Sequence, residues 1–287
     1  MPVTKSQKIK DEIIRTLLEG DIEYLEPQDR ETVDYLKRDK ITQPVISLSY
    51  NTASIIAGAD ETFESIHEYL EDRDIDARLT QMGSPGLVTA EPLLDVQLPG
   101  KAKVTFGNVF PEKVSDILDG VFNNFIPLEY VLGQQANELH EPWENIPYIH
   151  ELPFFKTQKR HILKNCGRID PESIDEYIVN GGYRNFLMSI RNYTPEEVCD
   201  LIESSGLRGR GGEGYPTGKK WKNTLTASAE KRFLICNAGE SDPGAFMERM
   251  IMESDPHSLV EAVAIASYAI GAQKAYIYLE SEYEMAC

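Results

Sequence analysis

Hydrophobic positions in the first half of the chain change repeatedly between helical and strand-like spacing. Apolar residues at helical spacing predict helices within residues 1–40, from Ile9, Ile13, Ile14, Leu17 and Leu18. Runs with strand-like patterning predict strands at 44–49, 77–81, 86–90, 93–98 and 103–106. Between and after these strands, helices are predicted at about 60–72 and 111–124. The order predicts a small α/β domain over residues 41–133, behind a helical N-terminal extension over residues 1–40.

Residues 134–160 are rich in proline and aromatic side chains, among them Pro142, Trp143 and Phe154. Such a composition favours a segment that follows a surface instead of forming regular elements. A short extended piece follows, and then a helix that Asp170-Pro171 opens and Gly181-Gly182 ends. Residues 134–193 are therefore interpreted as a packed linker and a helix.

The remainder, residues 194–287, predicts a second α/β unit. Thr194-Pro195-Glu196-Glu197 is a capping box with proline at the first helical position, so a helix is expected over 195–205. The later elements are a compact buried strand at 232–236, helices at about 245–253 and 256–271, and a strand at 275–279. The second of these helices carries Leu259, Val260, Val263 and Ile270, which we expect to face the sheet. Because a helix crosses between the two strands, they are expected to be parallel. Two parallel strands do not cover themselves, so the domain is expected to be incomplete at its C-terminus.

Composition sets broad limits on function. With 41% hydrophobic and 26% charged residues the chain has an ordinary soluble composition, and no apolar run reaches the roughly 18 residues that a membrane span needs. No apolar segment follows the basic N-terminus as in a secretion signal, so we expect a cytoplasmic protein without direct membrane insertion. The net charge of −18 argues against nucleic-acid binding.

The four cysteines are Cys166, Cys199, Cys236 and Cys287, separated by 33, 37 and 51 residues. Zinc and iron–sulfur sites usually contain closely spaced cysteine pairs, and a cytosolic chain gives no reason for disulfides. We therefore expect buried free thiols and no metal site in this chain.

The most informative segment runs from Ser205 to Trp221 and contains six glycines in seventeen residues. Glycine lets consecutive N–H groups converge on phosphate oxygens, and lysine or arginine then adds positive charge. Residues 206–232 hold seven cations against Glu213 and Glu230, a local +5 in a chain of −18. This segment predicts an anion-binding loop.

Two familiar phosphate-binding patterns fit the loop poorly. A Walker loop is rejected, because Glu213 and Lys220 stand where glycine and a hydroxyl residue are needed. Gly209, Gly211 and Gly214 do satisfy G-x-G-x-x-G, yet a helix precedes them where the dinucleotide fingerprint has a strand. The loop is thus interpreted as a nonstandard phosphate loop, with a plain solvated turn as the alternative.

Local evidence leaves several side chains with two interpretations. Arg210 and Lys220 are ligand contacts or plain surface cations, and Tyr215 stacks on a flat ring or is a buried turn aromatic. Glu240 and Asp242 either cap the following helix or accept hydrogen bonds from a ligand. His257 and the other four histidines are expected to be structural.

The first α/β unit resembles the thioredoxin-fold ferredoxin domain that holds a [2Fe–2S] cluster in NADH-oxidising complexes. The resemblance rests on the order of elements and on two signatures, at 49–59 and 83–92. The four family cysteine positions hold Ser49, Ser54, Ser84 and Val88. Because such clusters are held by thiolates, the resemblance implies a retained scaffold with no [2Fe–2S] cluster in this chain.

A second resemblance covers the glycine loop and the turn after the predicted strand at 232–236. Residues 208–221 and 236–249 closely resemble the flavin- and NADH-binding subunit of respiratory complex I, the 51 kDa type. Related subunits of NAD-reducing hydrogenases and formate dehydrogenases are also similar, and Asn165-Cys-Gly-Arg-Ile-Asp-Pro171 favours the hydrogenase type. The resemblance predicts α/β architecture, with a thioredoxin-like domain followed by the first part of a Rossmann-like flavin/nucleotide-binding domain at 194–287.

This resemblance also implies the cofactors, FMN and NAD(H), and the residues that bind them. Contact is expected from the loop residues Gly209, Arg210, Gly211, Gly212, Gly214, Gly218 and Lys220. Tyr215 would stack on the nucleotide, Asn237 and Glu240 would hydrogen-bond the flavin, and Asp242 would lie near the nicotinamide. A [4Fe–4S] cluster is expected only in a C-terminal part beyond this chain.

The implied function is an NADH-oxidising flavoprotein subunit, here a fragment, that passes hydride from NADH to FMN and electrons on to iron–sulfur partners. Its expected partners are ferredoxin-like, hydrogenase or formate dehydrogenase subunits. Two departures stand inside the motifs, Glu213 in place of a small residue and Gly239 in place of an acid. They keep open an alternative, a non-catalytic paralogue that serves as an interaction scaffold in a redox complex.

Overall fold

The computed structural model describes residues 11–20, 25–135, 137–240, 242 and 244–287. Ile9 of the predicted N-terminal helix lies outside the described residues. The chain divides into two compact units. The first contains Glu26–Val179 and Met250–Asp255, and the second contains Asn180–Arg249 and Pro256–Cys287 together with helix α1, Asp11–Glu19.

A five-stranded sheet forms the centre of the first unit. Its strands are β1 (Val45–Ser49), β2 (Arg78–Met82), β3 (Leu94–Gln97), β4 (Lys103–Phe106) and β5 (Val131–Gln135). The strand order is β2-β1-β3-β4-β5, in which β1 and β2 are parallel and the other pairs are antiparallel. This arrangement confirms the predicted α/β class.

Helices cover one face of this sheet because side chains alternate along its strands. Leu94, Val96 and Val104 point into a hydrophobic core that α4 (Ala59–Asp72) and α5 (Pro111–Phe122) complete. On the other face, Ser47, Asp95 and Thr105 are buried polar side chains. The remaining helices of this unit are α2 (Pro27–Leu36), α3 (Thr52–Ile56), α6 (Pro153–Lys156) and α7 (Ile174–Val179). The sheet therefore has one apolar face and one polar face.

One predicted strand of the first unit is wrong, and a short helix was not predicted. The segment at 86–90 is not a strand but contains a short 3-10 helix, Val88–Ala90, whose end is followed by Pro92. Helix α3 was not predicted, because its five residues are too few to show a helical period. Its N-cap Asn51 accepts hydrogen bonds from the amides of Ala53 and Ser54.

The predicted linker is partly integrated into the first unit. Trp143 and Ile146 are buried in its core, and the indole nitrogen of Trp143 donates to the Ala102 carbonyl at 2.8 Å. The segment also forms regular elements, a 3-10 helix at Ile149–Glu151 and helix α6. Helix α7 begins three residues after Pro171, which is later than predicted. Segment 134–160 is thus less irregular than its composition indicated.

The second unit combines helices with a two-stranded sheet. Its main helices are α8 (Arg184–Asn192), α9 (Pro195–Ser204), α10 (Thr217–Thr226) and α12 (Pro256–Ile270). Helix α11 (Met247–Ser254) begins in this unit, which includes its residues up to Arg249. Strands β6 (Phe233–Asn237) and β7 (Lys274–Tyr278) pair in parallel as predicted. The capping box at Thr194 is confirmed, with its side chain accepting from the Glu197 amide. Helix α8 was not predicted.

Three expectations about burial in the second unit are wrong. Strand β6 is not buried, since Ile235 is 68% exposed, and Val260 on α12 is 46% exposed. Both side chains are exposed because no element among the described residues packs over them. Of the four free cysteines, Cys166 and Cys199 are buried, whereas Cys236 is only half-buried and Cys287 is exposed.

Candidate functional site

The glycine loop between α9 and α10 is closed at its base by backbone hydrogen bonds. The Gly209 amide donates to the Tyr215 carbonyl, and the Thr217 amide donates to the Leu207 carbonyl, both at 2.9 Å. The guanidinium of Arg208 donates across the loop to the Gly214 carbonyl, also at 2.9 Å. These three contacts define the loop and leave residues 210–213 as its exposed tip.

Backbone conformation favours glycine at positions 212 and 214 of the loop. Gly212 and Gly214 have φ values of +109° and +61°, a region that other residues rarely adopt. A Cβ built on Gly211, Gly212 or Gly214 would meet nothing within 4 Å. The tip therefore has open space beside it, into which a ligand could approach the backbone closely.

A depression of about 560 Å³ lies against the loop and is lined by Ser205, Gly206, Leu207, Arg208, Gly209, Arg210 and Gly214. Arg210 lies at its edge and is exposed, as is Lys220 in the first turn of α10. No described carboxylate lies within ion-pair distance of either side chain. Arg210 thus brings to the depression a cation without a described counter-charge, and Lys220 adds a second one in the first turn of the helix that follows the loop, an arrangement that suits an anion.

In the described part of the chain, no lysine of α10 forms an ion pair with Glu213. Lys222 forms ion pairs with Asp200 and Glu203 on α9, the latter at 2.5 Å. These two hydrogen bonds, that to Asp200 first, raise the pKa of Lys222. Glu213 is exposed at the loop tip, and no ion pair joins it to Lys219 or Lys222 in the described part of the chain. Its negative charge is therefore not neutralised locally.

Glycine is needed at position 218 because two helices pack closely there. It is buried where α10 crosses α9, and a Cβ at this position would lie 2.2 Å from the backbone nitrogen of Glu203. Beside it, Trp221 packs against a small core formed by Val198, Cys199 and Ala269. The close approach of the two helices positions the first turn of α10, and with it Lys220.

Tyr215 is 43% exposed, so it is not the buried turn aromatic that was one of its two interpretations. Its hydroxyl lies 3.5 Å from the side-chain amide of Asn223, which holds the edge of the ring. A face of the ring is left available for stacking on a planar ligand.

Glu240 caps the helix that follows it, whereas Asp242 accepts a hydrogen bond within the turn before that helix. The buried Glu240 carboxylate accepts hydrogen bonds from the amides of Met247 at 2.8 Å and Arg249 at 3.2 Å, the first turn of α11. Asp242 accepts from the Gly244 amide at 3.0 Å and is exposed. The cap role is thus present in the fold. Because a carboxylate oxygen can accept a second hydrogen bond, Glu240 can contact a ligand and still cap α11.

Asn237 and Gly239 lie at the carboxyl end of β6. The Asn237 side chain is exposed and accepts from the Gly239 amide at 3.3 Å. A Cβ on Gly239 would lie 2.9 Å from the ring of Tyr278. Packing of the Tyr278 ring therefore gives a physical reason for glycine where the related subunits have an acid. Neither residue lines the depression at the glycine loop.

Two of the four family cysteine positions in the first unit, Ser49 and Ser84, belong to a polar network around Glu91. Oε2 of the buried Glu91 carboxylate accepts from the Ser49 hydroxyl and, at 3.1 Å, from the Leu93 amide, while Oε1 accepts from the Ser84 hydroxyl at 2.5 Å. Ser54 instead completes the cap of α3 by accepting from the Asn51 amide at 2.8 Å. The fourth position, Val88, is 40% exposed and has no ligand atom.

Sequence analysis did not single out Glu91. Burial is the largest influence on this carboxyl and raises its pKa, while the serine and backbone hydrogen bonds act in the opposite direction. An acid directly before the proline of the second signature was the available signal. The role of Glu91 as a hydrogen-bond acceptor could be seen only in the fold, because its partner Ser49 is 42 residues away.

The described residues contain no cluster of three or more histidine, cysteine, aspartate or glutamate side chains arranged to hold a metal ion. Among their helices, none combines the length and apolar character that a membrane crossing requires.

Comparison with known proteins identifies relatives of this chain. Residues 202–287 match the family described as the Nuo51 FMN-binding domain. The NADP-reducing hydrogenase subunit HndC of Solidesulfovibrio fructosivorans is 52% identical over 131 residues, which are 46% of this chain and 26% of that protein. The NAD-reducing hydrogenase HoxS subunit alpha of Cupriavidus necator is 31% identical over 198 residues, 69% of this chain and 29% of that protein. The chain thus spans less than a third of the length of these curated relatives.

A solved structure of an NAD+-reducing [NiFe]-hydrogenase in the air-oxidized state aligns with 99% of this chain and 48% of its own, with 20% identity and a TM-score of 0.36. The family match over residues 202–287 contains both the glycine loop and the turn after β6. The predicted resemblance to NADH- and FMN-binding subunits of complex I and NAD-reducing hydrogenases is thereby confirmed.

Proposed function

We propose that residues 194–287 form the first part of the FMN- and NADH-binding domain of an NADH-oxidising flavoprotein subunit. The observation that supports this most strongly is the glycine loop, which is closed at its base by hydrogen bonds, has open space beside its glycines, and carries Arg210 and Lys220 without a described carboxylate at ion-pair distance. The match of residues 202–287 to the FMN-binding family supports the same conclusion. Relatives of this chain are named as subunits of hydrogenases, and we propose that this protein also works in an assembly with other redox subunits.

The residues present suit the anionic parts of the two cofactors. Gly209, Gly211 and Gly212 would present backbone to phosphate groups, and Arg210 and Lys220 would neutralise them. Tyr215 would stack on a ring, while Asn237, Glu240 and Asp242 would provide polar contacts at the carboxyl end of β6. FMN, when bound, supplies the redox chemistry, and this chain binds and orients it.

The test is a titration of the full-length protein with FMN and with NADH, followed by flavin fluorescence and calorimetry. Replacing both Arg210 and Lys220 with alanine should weaken binding by about 2–5 kcal/mol, since a hydrogen bond to a charged group contributes about 1.5–3 kcal/mol. The matched control is Lys219→Ala with Lys231→Ala, which removes the same charge from exposed positions outside the proposed site. Unchanged affinity in the first variant would mean that the loop is a structural turn.

Glu213 and the lack of cysteine at the four family positions favour one second candidate, a non-catalytic paralogue that serves as a scaffold in a redox complex. Glu213 brings a negative charge without a described partner to the loop tip, and the residues at two of the family cysteine positions, Ser49 and Ser84, are hydrogen-bonded to Glu91. A full-length protein that binds neither FMN nor NADH in the titrations above, yet co-purifies with redox subunits, would support this alternative.

A further inference from the structure

A cavity of about 410 Å³ is formed by residues of the first unit. Its floor is the polar face of the five-stranded sheet, where Asp95 and Thr105 are, and its wall comes from the segment 149–168. The volume falls within the range of about 300–1,000 Å³ that small-molecule sites occupy. None of the site residues considered above lines it.

Positive charge predominates at this cavity. Arg160, Lys164 and Arg168 line it, and the lining contains one carboxylate, that of Asp95. Asp95 is already compensated, because it forms an ion pair with the buried Lys103 and accepts from the Thr105 hydroxyl at 2.6 Å. No described carboxylate lies within ion-pair distance of the three lining cations. In a chain with net charge −18 this is a local site for an anion.

Arg160 is held in a fixed orientation by neutral acceptors. Its guanidinium donates to the carbonyls of Pro85 at 2.9 Å and Leu163 at 3.1 Å, and to the side-chain oxygen of Gln158 at 3.1 Å. Burial, more than the nearby charge of Arg168, lowers the pKa of Arg160. Three of its five N–H groups are used in this way, and the other two have no partner in the described parts of the chain. A fixed guanidinium with free donors matches the planar geometry of a carboxylate.

Apolar side chains form the other part of the lining, beside the polar face of the sheet. Met82, Leu93, Leu132 and Phe155 contribute to the lining, together with the thiol of Cys166. Burial raises the pKa of this thiol to about 12, so it is a neutral group there at ordinary pH. The site therefore combines apolar side chains in its lining with cations at its rim, where Lys164 and Arg168 are exposed.

We propose that this basic cavity binds a small amphipathic carboxylate, with its apolar chain against Leu93, Leu132 and Phe155 and its head group against Arg160 and Arg168. Charge complementarity selects an anion, and the apolar lining selects a molecule with a hydrocarbon body over a simple ion. The fixed guanidinium selects a planar head group. This inference is independent of the proposed role in flavin and NADH binding.

The experiment is calorimetric titration of the protein with octanoate, 1-octanol and acetate, which separate the charge from the hydrocarbon chain. Octanoate should bind at least tenfold more tightly than either of the others. Hydrogen exchange with octanoate present should show added protection in residues 158–168. Equal binding of octanol would mean an apolar cavity without anion selectivity, and equal binding of acetate would mean a surface ion site; either result overturns the proposal.

Variants locate the binding to this cavity. Lys164→Gln with Arg168→Gln changes two exposed rim residues and should reduce octanoate affinity at least tenfold without loss of folding, as checked by circular dichroism. Lys156→Gln with Lys159→Gln is the matched control, because it removes the same charge from exposed positions of the same segment that do not line the cavity. Leu132→Trp should block binding by filling the cavity. Equal losses in the rim and control pairs, or unchanged affinity in both the rim pair and Leu132→Trp, would overturn the proposal.

Discussion

Ser84 donates a hydrogen bond of 2.5 Å to the buried carboxyl of Glu91. Ser84 stands at a position where the related ferredoxin domains have a cysteine ligand, so a carboxyl-centred hydrogen-bond network occupies a place that the resemblance assigns to an iron–sulfur cluster. Ser49, at a second such position, donates to the same carboxyl. The network gives the buried polar groups partners within the protein itself.

Glu91 should make the stability of the protein depend on pH. Burial raises its pKa in the folded state above that of the unfolded chain. Its contribution is therefore fully present below the unfolded-state pKa and is lost as pH rises through the folded-state pKa, with a slope of at most about 1.4 kcal/mol per pH unit for one proton. Urea unfolding between pH 4 and 9 should show this loss in the wild type but not in Glu91→Gln. Glu112→Gln, at an exposed position on α5, is the control, and parallel curves for wild type and Glu91→Gln would contradict the prediction.

The first unit should not assemble a [2Fe–2S] cluster. Thiolates are absent from all four family positions, and Val88 has no ligand atom of any kind. After anaerobic incubation with ferrous iron and sulfide, followed by desalting, residues 41–133 should account for no stoichiometric iron, no acid-labile sulfide and no cluster signal in electron paramagnetic resonance. A thioredoxin-like ferredoxin treated in parallel is the positive control. A stoichiometric signal from this segment would sink the prediction.

Gly218 should be needed for stability and not only for ligand binding. A Cβ would lie 2.2 Å from the Glu203 backbone nitrogen, so Gly218→Ala must push α9 and α10 apart. Overpacking of this kind costs about 1–3 kcal/mol, which exceeds the gain in helix propensity of up to about 1 kcal/mol. Gly211→Ala is the matched control, because its Cβ would meet nothing within 4 Å. Equal unfolding free energies for the two variants would refute this account of Gly218.

Glu213 should weaken nucleotide binding. A carboxylate a few ångströms from a diphosphate costs about 1 kcal/mol in water-like surroundings and several at an effective dielectric near 20. Glu213→Ala in the full-length protein should therefore tighten NADH binding at least tenfold and increase NADH oxidation with an artificial acceptor. The gain should shrink in high salt, since the repulsion is partly screened. Glu230→Ala removes an exposed charge outside the loop as a control. Unchanged NADH affinity in Glu213→Ala would leave the plain flavoprotein proposal the stronger one.

Signals contained within a few residues were sufficient for much of the fold. The capping box at Thr194, the strand before Ser49 and the helix after Phe110 were all predictable, because caps, β-branched runs and helical periodicity act over one or two turns of chain. Short or mixed segments were not. Helix α3 has five residues, and the segment at 86–90 bends into a 3-10 helix instead of extending.

The site divides in the same way. Sequence alone determined that the glycine loop is cationic and needs residues without side chains, since both properties follow from residue type. The tertiary structure decided that Arg208 braces the loop, that Lys222 is held by α9, and that Glu240 caps α11. These roles depend on which donors and acceptors meet after folding.

Contacts between residues that are distant along the chain could not be predicted from the sequence. Glu91 binds Ser49, which is 42 positions away, and the basic cavity is lined both by residues of the sheet, such as Met82, and by the segment 149–168. Hydrogen bonding and charge compensation depend on distances of a few ångströms in space. Sequence patterning therefore determined the elements and the chemical character of the loop, and only the tertiary packing decided which polar groups are paired and which remain free for a ligand.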